Sequence, residues 1–369
     1  MDFALTEQQE HIRDAITRIC ADFDDAYWLK QDRDGGFPHD FYQALAAGGW
    51  LGICVPEAYG GSGLGIAEAA VMMRAIAGSG AGMSGEEQRQ RMLPRMIAGR
   101  EKACFAVTEP NTGLNTTQLK TRAIAKNDRY VVNGQKVWIS TAQVAHKILL
   151  LARTTPLEDV KRPTEGLSLF YTDFNRQQIK VHEIEKMGRK SVDSNELFFE
   201  DFEIPMEDRI GEEGRGFKYI LEGMNPERIL IAAEAVGLGK LALARAADYA
   251  KSRVVFNRPI GQNQAIQHPL AKNWIELEAA WLMVMSAAWQ YDQRLPCGAA
   301  ANAAKYFAGE AGFQACEQAV MTHGGFGYAK EFHVERYLRE VMIPRIAPVS
   351  PQLALSFIAE KVLGLPKSY

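Results

Sequence analysis

The segment MNPERILIAAEAVG at 224–237 sets a carboxylate, Glu227, beside a cation, Arg228, at the head of an apolar run. On a helix Glu227 shares a face with Leu230, Ile231 and Leu238. A carboxylate among apolar neighbours loses solvation of its charged form, so its pKa rises and it suits general-base chemistry. The same residues also fit a structural role. Asn225 is a good N-cap, Pro226 suits the first helical position, and Glu227 in the first turn would favour the helix dipole. Trp138 and Ser140 stand two apart on a strand-like run, which turns both to one side. They offer an aromatic wall with a hydroxyl beside it, or a core tryptophan and its neighbour. Thr108 is a second candidate hydroxyl, or a strand-end cap. Gly324 and Gly325 let backbone approach a ligand closely, or simply turn the chain.

Three segments must position these residues. Residues 1–102 read as an N-terminal helical domain, opened by Thr6 and Gln9 as a capping box before Ile12, Ile16 and Ile19. The glycine-rich LGICVPEAYGGSGLG at 51–65 reads as a helix–helix connection in preference to a ligand loop. Residues 103–211 carry short strand-like runs, including KILLLART, GLSLFYTDF, IKVHEIE and NELFFEDFEI. In RYVVNGQKVWIS, Asn133-Gly134 reads as the turn of a hairpin. This predicts a compact middle antiparallel β domain. Residues 212–369 return to apolar positions at helical spacing, which predicts a C-terminal antiparallel helical bundle. The fold class expected is therefore multidomain α and β.

Composition bounds the partners. A net charge of −3, with 47% hydrophobic and 24% charged residues, gives no basic face for nucleic acid. No apolar run approaches ~20 residues, so no transmembrane helix is expected. The first residues lack the layout of a signal or transit peptide. The five cysteines are scattered, without metal-ligand spacing, and suggest a reducing cytoplasm. No metal site is expected.

Five motifs run in order along essentially the whole chain: CFAVTEPNTG at 104–113, KVWIS at 136–140, GEEGRGF at 211–217, SRVVFNRPI at 252–260 and HGGFGYAKEF at 323–332. They resemble those of the acyl-CoA dehydrogenase family. The resemblance implies FAD, with Phe105, Val107, Thr108, Trp138 and Ser140 around the flavin ring. It implies that Arg253 and Phe256 meet the FAD of a neighbouring subunit, followed by Gln264. An arginine suits a pyrophosphate because its planar fork is permanently charged. Gly324, Gly325, Ser350 and Gln352 match further FAD positions, whereas Met321 stands where the family often has Gln. Leu114 and Asn115 depart from the more usual Ser-Asp.

Two departures touch the catalytic centre. Most members carry the base near the C-terminus, where this chain has Ile346-Ala347-Pro348-Val349-Ser350. Pro348 occupies the glutamate's place, and the nearest downstream carboxylate, Glu360, is more than two helical turns away. Isovaleryl-CoA and long-chain acyl-CoA dehydrogenases instead carry the base in an E-R pattern that Glu227 and Arg228 match, with Asn225 and Arg228 toward the substrate. Pro348 also lacks the N–H that in the family helps bind the thioester carbonyl, which leaves Val349 or a flavin ribityl hydroxyl as donor. Around 76–94 the chain is shorter than related sequences by roughly one helix, which reads as residues not represented at Gly85-Glu86 or as a true deletion.

The resemblance thus implies an FAD-dependent acyl-CoA dehydrogenase that forms a trans-2-enoyl-CoA and passes electrons to an electron-transfer flavoprotein. It further implies a homotetramer. An acyl-CoA oxidase using oxygen and a non-catalytic flavoprotein or acyl-CoA-binding scaffold are the alternatives.

Overall fold

A computed structural model describes residues 4–81 and 93–368. The Gly85-Glu86 junction lies outside the described residues, although the sequence itself runs through it without a break. Helices α1 (Glu7–Ala21), α2 (Asp25–Asp34), α3 (His39–Ala47), α4 (Ile66–Gly78) and the short α5 (Leu93–Ile97) come first. Thr6 and Gln9 form the reciprocal capping box expected of them. None of residues 51–65 lines the main cleft, so the glycine-rich stretch is placed as a connection. Gly65 gives α4 no side-chain cap of its own. Asp292 supplies it, accepting from the Ile66 N–H at 2.8 Å and the Ala67 N–H at 3.0 Å.

The middle segment holds β1 (Ala103–Ala106), β2 (Arg122–Lys126), β3 (Arg129–Ser140), β4 (Lys147–Arg153), β5 (Leu167–Asp173), β6 (Ile179–Glu183), β7 (Ser194–Pro205) and β8 (Arg209–Ile210). They form one eight-stranded sheet in the order β6-β7-β3-β2-β4-β5-β8, with β1 pairing to β4. The sheet is mostly antiparallel, as expected, but β4 pairs in parallel with β1 and, at one position, with β2. On β4, Ile148, Leu150 and Ala152 enter the sheet's own core, while Leu149 and Leu151 pack toward Ile220. Burial on both faces explains why this strand reads as a continuous apolar run.

The hairpin expected at Asn133-Gly134 is not there. β3 runs through both residues, and its register against β7 shifts between Val132 and Gly134. Asn133 exchanges hydrogen bonds with Asp201, donating through Nδ2 and accepting from the Asp201 N–H, both at 2.9 Å. Gly134 has φ +153°, and a Cβ there would lie 2.5 Å from the Thr121 hydroxyl. The Asn-Gly pair therefore makes a bulge, which needs the same freedom of φ as a turn. The true turn is Asn127-Asp128, with Asn127 at φ 54° and Lys126 paired to Arg129.

The last segment contains α6 (Gly216–Ser252), the two-stranded ribbon β9 (Val254–Val255) and β10 (Arg258–Pro259), α7 (Gln264–Asp292), α8 (Gly298–His323), α9 (Val334–Ile346) and α10 (Pro351–Lys361). The first-turn role for Asn225, Pro226 and Glu227 is overturned, because α6 begins at Gly216 and passes straight through Pro226. Proline removes one intrahelical bond, to the carbonyl of Glu222, and Glu222 is exposed to water. By composition alone Val334–Lys361 is apolar enough to cross a membrane, at hydropathy 1.3. The chain breaks that stretch into α9 and α10.

One core joins both ends of the chain. Ile16 of α1 and Val71 of α4 pack in the same cluster as Val236 of α6, Val284 of α7 and Ala308 of α8. The sheet has a separate core around Ile148, Phe170, Leu197 and Phe202.

Candidate active site

A cleft of about 970 Å³ separates the sheet from the helices. The sheet side contributes Phe105, Val107, Thr108, Trp138 and Ser140, and the helical side contributes Glu227, Arg228, Leu230 and Ile231. Leu238 does not join this face of α6. It lies in the core with Ala77 and Ala242, and Glu234 lines the cleft in that direction instead.

Trp138 stands at φ 62°, where the register of β3 against β7 shifts again between Lys136 and Ile139. The bulge turns the indole outward, and 59% of the residue is exposed in the cleft wall. A core tryptophan is thereby ruled out. The hydroxyls of Thr108 and Ser140 border the same space and have no hydrogen-bond partner among the described residues.

A buried ion pair that sequence reasoning missed holds this wall together. Lys136 is fully buried, and its Nζ donates to the Val107 carbonyl at 2.8 Å and to Glu109 Oε1 at 3.0 Å. Glu109 also accepts from the N–H groups of Lys120 at 2.6 Å and Thr121 at 2.9 Å. The Val137 N–H donates to the Thr108 carbonyl at 2.9 Å. Lys136 and the Val137–Thr108 bond together thus fix Val107, Thr108 and Trp138 relative to one another. Burial lowers the Lys136 amine to about 8, opposed by Glu109. For Glu109, burial pushes upward, but Lys136 and the backbone donors hold the carboxyl below its ordinary value. A lysine with buried neighbours on a strand, plus the Glu of the TEP turn, was the available signal.

Glu227 is half-buried in the cleft wall, and its carboxyl has no hydrogen-bond partner among the described residues. Burial raises it from 4.5 to about 7, with Arg228 acting in the opposite sense. Arg228 donates to Asn225 Oδ1 at 2.9 Å, so Asn225 orients the arginine without lining the cleft itself. Pro348 lines the cleft between Ala347 and Val349. α10 folds back along the cleft and sets Leu353, Ser356, Phe357 and Glu360 on it, with Glu360 near the far end of the helix.

The remaining candidates lie elsewhere. Arg253, Gln264, Gly324, Gly325 and Gln352 are exposed, Phe256 is 94% exposed, and none lines the cleft. The Arg253 guanidinium sits 5.6 Å from the centre of the Phe326 ring. Ser350 is engaged as the N-cap of α10, accepting from the Leu353 N–H at 3.2 Å.

Comparison with known proteins gives the same reading along the whole chain. Residues 6–100, 104–202 and 214–363 match the N-terminal, middle and C-terminal domains of acyl-CoA dehydrogenases. Acyl-CoA dehydrogenase FadE12 of Mycobacterium tuberculosis is 34% identical over 386 positions, covering 100% of this chain and 99% of the relative. Those 386 positions exceed the 369 residues of this chain, which therefore lacks part of what the relative has. A glutaryl-coenzyme A dehydrogenase in complex with glutaryl-CoA superimposes with a TM-score of 0.92 at 27% identity, covering 100% of this chain and 98% of that one. A chain from work on the electron transferring flavoprotein of Acidaminococcus fermentans gives a TM-score of 0.92 at 30% identity, covering 98% of this chain and 100% of that one. This chain belongs to the acyl-CoA dehydrogenase family. It is a flavin-dependent oxidoreductase with FAD as its cofactor.

The cleft fits that cofactor. An outward indole offers an apolar wall for an aromatic ring, and two unengaged hydroxyls beside it can meet ring nitrogens and carbonyls. Trp138, Thr108 and Ser140 would hold the ring.

Proposed function

We propose that this protein oxidises the Cα–Cβ bond of an acyl-CoA thioester to a trans-2-enoyl-CoA, with Glu227 as the base. One observation carries the reading: an unpartnered carboxyl raised to about 7 faces the same cleft as Trp138, Thr108 and Ser140. When bound, FAD supplies the hydride acceptor. Glu227 takes the α-proton as the hydride leaves Cβ, so both bonding pairs are accounted for and the double bond remains. A base near 7 is half-ionised at neutral pH and still strong enough to compete for a carbon-bound proton. Arg228, held by Asn225, adds positive charge on the same wall. Pro348 offers no N–H to the thioester carbonyl, so the Val349 N–H or a flavin ribityl hydroxyl would serve as its donor.

Arg253, Phe256, Gln264, Gly324 and Gly325 lie off their own cleft, which fits a role toward a neighbouring subunit's FAD in a homotetramer. The exposed apolar residues Trp274, Ile275, Leu282 and Trp289 of α7 offer a face for that assembly. Electrons would leave through an electron-transfer flavoprotein, in keeping with the structural relative from Acidaminococcus fermentans.

Anaerobic addition of acyl-CoA to the FAD-loaded protein tests the reading. Bleaching of the flavin band is expected, with slow peroxide formation in air. Failure of a straight- and branched-chain panel to bleach it would reduce the protein to a flavin-binding scaffold. Rapid peroxide formation would make it an oxidase.

A further inference from the structure

Beyond Glu227 the cleft follows α6 past Leu230 and Ile231 to Glu234, with Met73 of α4 opposite. One turn further on, the two helices meet backbone to backbone. A Cβ on Gly237 would lie 2.4 Å from the Arg74 carbonyl oxygen. Glu234 therefore marks the floor between α4 and α6. It comes seven residues after Glu227, which returns it to nearly the same face about 10 Å along the axis.

A plain alkyl tail would call for an apolar floor. This floor carries a buried ion pair instead. Arg189 and Glu234 both line the cleft, with side chains 6% and 8% exposed. Arg189 Nη2 donates to Glu234 Oε1. The Arg189 backbone N–H donates to Glu340 Oε1 at 2.7 Å, and its Nε lies 3.9 Å from Glu340 Oε2. Glu234 and Glu340 thus both approach the Arg189 guanidinium. Glu234 Oε2 has no partner among the described residues, and Glu234 lines the cleft. An alkyl chain laid over that oxygen would strip its water and return nothing.

We propose that Glu234, braced by Arg189, is a specificity site for acyl groups that carry a hydrogen-bond donor, a hydroxyl or an ammonium, about 10 Å beyond the reacting carbons. Sites that hydrogen-bond a substrate hydroxyl discriminate strongly against the analogue that lacks it, because the buried partner is then left unpaired. This inference rests on the acyl-CoA reading above.

The test uses FAD-loaded protein with octanoyl-CoA and decanoyl-CoA, each against its ω-hydroxy and ω-amino counterparts. Flavin reduction gives kcat/KM, and calorimetry gives Kd independently of turnover. At least one donor-bearing ligand should be preferred by about tenfold or more. The double variant Arg189→Met/Glu234→Leu removes the ion pair of the floor, leaves Glu340 with the backbone N–H of residue 189, and should reverse the preference toward the alkyl chain. Equal or better use of the plain chains by the parent protein would overturn the proposal, as would an unchanged ratio in the double variant. If that variant does not fold, the parent's ratio in both readouts decides. Equal flavin reduction by all ligands removes this inference alone. Absence of both reduction and binding by every acyl-CoA removes the acyl-CoA reading with it.

Discussion

Glu227→Gln separates the base from every other function of the cleft. A carboxyl at about 7 in place of 4.5 has lost about 3 kcal/mol of its preference for the charged form. Burial causes that loss, and Arg228 only partly offsets it. In the parent protein the rate of flavin reduction should therefore rise with pH through a single ionisation near 7. At pH 5 it should be roughly 100-fold below its plateau, because only about 1% of the base is ionised. Glu227→Gln should lower the plateau by roughly 10²–10⁴ and flatten the profile. Stability should move the other way. The folded pKa lies above the unfolded one, so the contribution of Glu227 is whole below about 4.5 and is lost as pH rises through about 7. The glutamine variant escapes that loss and should gain on the parent, by up to about 3 kcal/mol, as pH rises from 4.5 to 8. Stopped-flow reduction and urea unfolding across this range read the two effects. A glutamine variant that reduces its flavin at the parent rate, or keeps the same pH midpoint, would refute the assignment.

Lys136→Met strands the Glu109 carboxylate against two backbone donors and should cost about 3–5 kcal/mol in urea unfolding. Pairing it with Glu109→Gln should recover part of the loss, and a single variant within about 1 kcal/mol of the parent would deny the ion pair its role. Glu360→Gln tests the other carboxylate on α10. Flavin reduction should stay within about threefold of the parent, far from the loss expected of a base, and a drop of the Glu227 size would move the base to α10. Asp292→Ala takes two hydrogen bonds from the first turn of α4 and should cost about 1–2 kcal/mol, read as a lower melting temperature.

The order of helices and strands was legible because patterning is a local property. The alternation of β7 shows directly in the residues that face its core, and the apolar run of α6 in residues 232–239, which are buried together. What failed were features in which one residue type serves two geometries. Asn133-Gly134 has turn chemistry but makes a bulge, because Asp201 on β7 takes both hydrogen bonds of the Asn133 side chain. Asn225-Pro226-Glu227 has capping chemistry but lies inside α6, where the loss of one bond beside exposed Glu222 is tolerated. Trp138 and Ser140 could be recognised from their motif, although they reach one cleft through a bulge and not through plain alternation. The pairs Glu109–Lys136 and Arg189–Glu234 were illegible because each joins residues far apart in sequence. That Glu360 lines the cleft was not legible, because the return of α10 onto it depends on packing that no local pattern encodes.

The cap that Asp292 places on α4 ties the order of assembly to the order of synthesis. The two residues of each hydrogen bond are 226 and 225 positions apart. When α4 leaves the ribosome, its first turn lacks its acceptors, and its core partners on α6, α7 and α8 do not yet exist. The middle sheet has a core of its own and can close while the first helices wait. Contacts of such long range form late, and the early helices keep apolar surface exposed until then. A nascent chain stopped short of Asp292 would present a finished sheet flanked by unassembled helices. Met73 would then stay out of place on the cleft wall, although it is made before the sheet.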